Sequence, residues 1–160
     1  MIKLSSSVTF RNGLSPACLP DQFKGVSLDD LTKRPAIIGW GSTAGFQSTV
    51  EHLREAYVPL VKNPTCKDKY AALGRDISSK QICAGDETYD SCGGDSGGPM
   101  LSSEKNNGRW AVIGITSFGP SICAHSQYPG VYTRVTEYLD WIESKTGGAG
   151  GRSVVNRKVG

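Results

Sequence analysis

Glycine or proline interrupts every apolar run in this sequence within a few residues. Ala111 to Phe118 is broken by Gly114, Ala36 to Trp40 carries Gly39 and stops at Gly41, and Tyr57 to Val61 carries Pro59. There are 20 glycines and 8 prolines in 160 residues, and the glycine share is well above the usual ~7%. Such punctuation disfavours long helices, because proline removes a backbone donor and glycine costs backbone entropy. It suits short strands joined by turns. The length is one domain's worth and enough to bury a core. Hydrophobic residues make up 38% and charged residues 21%, which excludes a chain disordered throughout. The formal net charge of +3 is mild and has no concentrated basic block. A dedicated nucleic-acid or membrane-surface binder is therefore not expected. No apolar run approaches the ~18 residues of a membrane span.

The coarse elements follow from the same punctuation. Residues 1–24 read as an extended linker, with Pro16 and Pro20 bracketing Cys18. Strands are expected at Ala36–Gly41, at His52–Val61 with an edge or bulge at Pro59, at Met100-Leu101, at Ala111–Phe118 and at Gly130–Val135. Asn63-Pro64 reads as a helix start, Asn capping and Pro in the first turn, with the helix running to about Ala72 and ending near Gly74. A closing helix is expected from Thr136 to about Ser144, since Val135, Tyr138, Leu139 and Ile142 share one face. From Gly147 to Gly160 the chain is a glycine-rich basic tail, read as disordered.

Five cysteines are an odd number, and their spacing is not that of paired zinc knuckles. Two disulfides and one orphan is the plain reading, which implies an oxidising, extracellular compartment. The first residues, Met1-Ile2-Lys3-Leu4-Ser5-Ser6-Ser7, have no apolar core or cleavage site of a secretory leader. Together these features suggest that something upstream is missing.

The stretch most suited to chemistry is Asp90-Ser91-Cys92-Gly93-Gly94-Asp95-Ser96-Gly97-Gly98-Pro99. Glycines around a serine permit a sharp turn and close approach of a substrate to the backbone N–H groups. Such amides stabilise an oxyanion, and the serine becomes a nucleophile once a histidine takes its proton. Gly94-Asp95-Ser96-Gly97-Gly98 also fits the G-x-S-x-G elbow of α/β-hydrolases. That elbow must open a helix, which Gly97-Gly98-Pro99 does not favour, and only Glu104 and His125 follow as acid and base.

The full stretch resembles the nucleophile segment of the chymotrypsin/trypsin-like serine proteases. Five further motifs fall in that family's order. They are Ile38-Gly39-Trp40-Gly41, Gln81-Ile82-Cys83-Ala84-Gly85, Ile115-Thr116-Ser117-Phe118-Gly119, Pro129 to Val135, and Tyr138-Leu139-Asp140-Trp141-Ile142. The resemblance covers about residues 1–146. It implies an all-β fold, the C-terminal six-stranded antiparallel Greek-key barrel of the two-barrel trypsin-like architecture, followed by a C-terminal α-helix. Residues 1–24 would be a remnant of the first barrel and the inter-barrel linker, and residues 25–146 the second barrel with its helix.

By this resemblance each motif residue takes a role. Ser96 matches the nucleophile, and the N–H groups of Gly94 and Ser96 match the oxyanion hole. Asp90 matches the acid at the base of a specificity pocket, implying cleavage after Arg or Lys. Gly119 and Gly130 match its walls, and Ser117, Phe118 and Gly119 match the edge that pairs with substrate backbone. Asp95 matches the carboxylate that meets the N-terminal ammonium formed on zymogen activation. Loss of that ammonium would leave Asp95 unpaired. The resemblance pairs Cys66 with Cys83 and Cys92 with Cys123. It leaves Cys18 for a light chain or the missing N-terminal half, and the Pro-Ala-Cys-Leu-Pro setting resembles invertebrate clip-type or clotting-type proteases. It also implies a secreted zymogen with protein or peptide substrates, inhibitors such as serpins, and no metal or other cofactor.

The family order of triad residues is His, Asp, Ser, and no matching histidine or aspartate precedes Ser96 here. His52 and His125 read as solvated. Met1-Ile2-Lys3-Leu4 resembles the few residues after the triad aspartate in that family, so the chain is expected to begin just beyond that aspartate and to be inactive alone. The alternative is a non-catalytic homologue acting as a binding module. Pro120-Ser121-Ile122 replaces the usual glycine before the pocket cysteine. Pro35-Ala36 and Trp110-Ala111 occupy the places of one disulfide common in the family.

Overall fold

The computed structural model describes residues 2–20, 27–28, 31–43, 49–104 and 108–147. All its strands pair antiparallel in one sheet. In chain order they are β1 (Ala36–Gly39), β2 (Arg54–Tyr57), β3 (Leu60–Val61), β4 (Gln81–Ala84), β5 (Pro99–Ser102), β6 (Ala111–Phe118) and β7 (Gly130–Arg134). Helix α1 (Asn63–Ala71) lies between β3 and β4. A 3₁₀ turn (Val135–Tyr138) leads from β7 into α2 (Leu139–Thr146).

The spatial order is β2-β1-β5-β6-β7-β4-β3. Its two outer strands come from one continuous segment, interrupted only by Val58 and Pro59. Pro59 cannot donate to a ladder, so the segment changes neighbours there, leaving β1 and joining β4. One segment serving both edges means that the sheet curls back on itself. Seven strands are formed where six were expected because Pro59 divides the expected His52–Val61 strand.

The curl encloses a core of Leu28, Ile37, Val58, Ile82, Met100, Ile113 and Tyr132. These come mainly from alternate positions of the strands, as a sheet with one buried face requires. A second cluster, Cys66, Tyr70, Ile77, Cys83 and Val131, packs α1 against the sheet. The Cys66–Cys83 disulfide ties that helix to β4. Tyr70 donates its hydroxyl to the Pro129 carbonyl at 2.7 Å, and burial pushes the phenol up to about 12.

Two local expectations are corrected. Asn63 does not cap α1; it is the first helical residue, and the Lys62 position before it carries no side-chain cap. The Asn63 amide donates instead to the Ser78 and Gln81 carbonyls, each at 3.1 Å, and its oxygen accepts from Arg134 Nη2 at 2.8 Å. The closing helix begins as a 3₁₀ turn, and of its expected face only Val135 and Leu139 are buried. Gly147 ends α2 in the left-handed conformation. The expected disordered tail beyond it lies outside the described residues, as do residues 21–26 of the linker region. The rest of the N-terminal segment runs along the surface. Cys18 touches the sheet there, its carbonyl accepting from Val112 N–H at 3.0 Å.

Candidate active site

Ser96 stands in a tight turn between β4 and β5. Asp95 N–H donates to the Cys92 carbonyl at 3.0 Å, and Gly98 N–H donates to the Asp95 carbonyl at 2.8 Å. Gly94 and Gly97 take φ of +100° and +81°, a conformation glycine reaches without steric cost. The turn is fastened to β6 by Gly97 N–H to the Thr116 carbonyl and Thr116 N–H to the Gly98 carbonyl, both 2.9 Å. Ser96 is exposed at its tip. Among the described residues its hydroxyl, its N–H and the N–H of Gly94 make no hydrogen bond. Two uncommitted backbone donors flanking an exposed hydroxyl are the groups an oxyanion needs.

Asp95 is partly buried beside the end of β1. Its Oδ1 accepts from Gly41 N–H at 2.7 Å and its Oδ2 from Cys92 N–H at 3.0 Å. A Cβ placed on Gly39 or Gly41 would collide with this carboxylate. The two glycines of Gly39-Trp40-Gly41 therefore make room for Asp95, a role not legible when they are taken only as the end of a strand. Among the described residues Asp95 makes no ion pair, and two backbone donors hold its carboxylate.

Asp90 lies six residues before Ser96. Its Oδ1 accepts from Ser91 N–H at 2.8 Å and its Oδ2 from Ala124 N–H at 3.2 Å. A Cβ on Gly130 would lie 2.5 Å from Asp90 Oδ1, and one on Gly85 would lie 3.0 Å from the same atom. A Cβ on Gly119 would stand 3.7 Å from Gly130 Cα. The structure thus brings together Asp90, Gly119 and Gly130, and adds Gly85, whose φ of +113° turns the chain over the carboxylate. Beneath them the Tyr132 hydroxyl donates to Ser91 Oγ at 3.0 Å. The Cys92–Cys123 disulfide joins this segment to the loop carrying Ala124. Ala124 has φ of 54°, a strained value for a residue with a Cβ, and it aims its N–H at Asp90. Burial pushes the Asp90 carboxyl up to about 6, against the pull of the Ala124 and Ser91 N–H groups, and Asp86 and Asp95 push it the same way as burial.

Ser117 is exposed and Phe118 half-buried at the end of β6. The β5 ladder stops at Pro99 opposite Ile115, while Phe118 pairs with Val131 of β7. One side of Ser117 and Phe118 therefore lacks a strand. Phe118 is held in place by the edge of Tyr70 at 5.8 Å and by the Arg75 guanidinium 5.1 Å above its ring. A cavity of about 290 Å³ lies on the carboxylate side of the turn, lined by Asp90, Asp95, Gly39, Gly41, Arg54 and Glu55 among others. Ser96, Gly119 and Gly130 do not line it.

Neither histidine engages Ser96. His125 Nδ1 accepts from Gln127 N–H at 3.1 Å and its ring tilts over Tyr128, while His52 is exposed. Both disulfides implied by the resemblance are formed, and Cys18 is half-buried with a free thiol. Among the described residues no group of three or more His, Cys, Asp or Glu side chains could hold a metal. No described helix is long and apolar enough to cross a membrane.

Residues 1–142 match the Trypsin family. The chain is 42% identical over 145 residues to the proclotting enzyme of Tachypleus tridentatus, covering 89% of this chain and 37% of that protein. It is 40% identical over 145 residues to phenoloxidase-activating factor 1 of Holotrichia diomphalia, covering 89% and 38%. It is 40% identical over 146 residues to trypsin-1 of Astacus astacus, covering 90% and 57%. The chain thus spans between about a third and a little over half of these relatives.

Proposed function

Because the chain belongs to the trypsin family of serine proteases, we propose that it forms the nucleophile-bearing half of a secreted endopeptidase that cleaves after Arg or Lys. The observation that carries this reading is the exposed Ser96 between the uncommitted N–H groups of Gly94 and Ser96. Ser96 Oγ attacks the scissile carbonyl, and the oxygen that becomes negative is taken by those two N–H groups. The serine proton passes to a histidine, which returns it to the leaving amine. Water then releases the acyl group from Ser96. The substrate's cationic side chain meets Asp90, and its backbone adds to the open side of Ser117, Phe118 and Gly119.

The reading assigns the base and its orienting aspartate to a first barrel, since neither His52 nor His125 is placed for the task. Trp40, Leu53 and Tyr57 stay exposed on and beside β1 and β2, a surface suited to such a neighbour. Cys18 is the candidate link to a light chain. Protein substrates, serpin-type inhibitors and zymogen activation belong to the same reading. A non-catalytic binding module is the second reading, favoured by one observation: no histidine among the described residues bonds Ser96.

Hydrolysis of peptides by the protein from its natural source separates the two. Cleavage after Arg and Lys that Ser96→Ala abolishes supports the protease. Peptide binding without turnover, unchanged by Ser96→Ala, would put the binding module first.

A further inference from the structure

A second cavity, of about 350 Å³, begins at Gly119, where the Ser117–Gly119 edge ends. Gly119 and Pro120 line it together with Tyr70, Arg75, His125 and Tyr128. It shares no lining residue with the cavity beside Asp90. The two also differ in charge. Glu55, Asp90 and Asp95 line the first, whereas no carboxylate lines the second and Arg75 brings it a cation. The end of α1 sets Arg75 in place. Gly74 takes φ of +67°, and Arg75 N–H turns back to donate to the Tyr70 carbonyl at 3.1 Å. From there the guanidinium reaches over the Phe118 ring, 5.1 Å from its centre. Among the described residues it makes no hydrogen bond and no ion pair. The acid next to it in the chain, Asp76, is engaged elsewhere, 3.2 Å from Lys67 Nζ. An arginine lying on an aromatic ring uses the face of its plane and keeps the N–H groups at its edge for a carboxylate.

Chain direction decides which substrate residues arrive here. Gly97 and Gly98 tie the Ser96 turn to Thr116. The edge runs from there through Ser117 and Phe118 to Gly119, away from Ser96. All the strands of this sheet pair antiparallel. A substrate strand added in the same sense runs towards Ser96, so its residues beside Phe118 and Gly119 precede the cleaved bond. Two strand residues separate the partner of Ser117 from the partner of Gly119, about 7 Å of chain. We propose that Arg75 is a specificity-determining residue that selects an acidic side chain two or three residues before the Arg or Lys at the cleaved bond. The proposal rests on the protease reading above for where the substrate lies, and it narrows the substrate class to peptides cationic at the bond and anionic upstream. Each charge then meets its opposite, Asp90 in one cavity and Arg75 in the other. A peptide with a second cation upstream meets Arg75 with like charge.

The test is peptide binding, read by fluorescence anisotropy on the native protein carrying Ser96→Ala, so that no peptide is cut. The probes are labelled hexapeptides that end in Arg and carry Glu, Gln, Leu or Lys two and three residues before it. The Glu peptide is expected to bind about tenfold more tightly than the Lys peptide, with Gln between them. Adding Arg75→Glu should reverse that order. Arg75→Gln should remove the charge preference while the Gln peptide still binds as before. A general loosening of Phe118 would weaken all the peptides alike and could not reverse their order. Equal affinity for Glu and Lys, a Leu peptide that binds best, an order unchanged by Arg75→Glu, or no binding would each overturn the proposal. Hydrolysis by the parent protein is measured alongside. If nothing is cut but the acid preference holds, the protease reading fails and the role of Arg75 stands; if cleavage after Arg is indifferent to the upstream charge, the reverse is true.

Discussion

At Asp90 the chain encloses a carboxylate between two glycines and gives it two backbone donors. Burial still prevails, and the carboxyl sits at about 6 against an ordinary 3.8. Between those values the folded chain keeps a proton that the unfolded chain has released, so this group makes stability fall as pH rises from 3.8 to about 6. Asp90→Asn removes that loss. We expect it to flatten the stability profile across this window and to be about 1–2 kcal/mol more stable than the parent at pH 7 after allowance for solvent, as measured by urea denaturation. Binding of a guanidinium ligand should strengthen from pH 5 to 7 in the parent and be lost in the variant, as titration calorimetry would show. Gly130→Ala places a methyl 2.5 Å from Asp90 Oδ1. It should cost about 1–3 kcal/mol and abolish guanidinium binding, again read by calorimetry. The two cysteine pairs were legible through the resemblance of their motifs to the serine protease family. Gly85 and Ala124 were not. Gly85 contributes a backbone angle that marks a turn but not what it encloses, and Ala124 contributes an N–H direction that leaves no trace in residue type.

Among the elements, α1 shows how a tertiary bond overrides a local signal. Asn-Pro at a helix start suggests a cap, yet the Asn63 amide serves the Ser78 and Gln81 carbonyls and Arg134. Three partners from distant segments outweigh one capping bond. Asn63→Ala should therefore destabilise by about 1–3 kcal/mol, several times the effect of a lost exposed contact, in a denaturant midpoint measurement. Strands β6 and β7 were legible almost to the residue, since both are short runs rich in β-branched and aromatic residues. The division of β2 from β3 was visible only as Pro59. That one segment serves both edges of the sheet is set by pairing partners far along the chain, which periodicity does not report.

On the scale of the molecule, two disulfides hold the site to its frame. Cys92–Cys123 closes a sequence separation of 31 and Cys66–Cys83 one of 17. The chain-entropy relation gives about 3–4 kcal/mol for each. The double change Cys92→Ala with Cys123→Ala should lose about that much stability in calorimetric melting and should also weaken guanidinium binding, because Ala124 is then no longer held over Asp90. On the proposed reading, a second unit brings the histidine and aspartate to Ser96, and exposed Trp40 after β1 and Tyr57 of β2 are suited to meet it. The most direct test is covalent labelling of the native protein with an arginine phosphonate ester and, in parallel, its phenylalanine counterpart, followed by mass mapping of the adduct. The account predicts one adduct, on Ser96, from the arginine reagent, lost in Ser96→Ala. No adduct, an adduct elsewhere, or equal labelling by the phenylalanine reagent would contradict it.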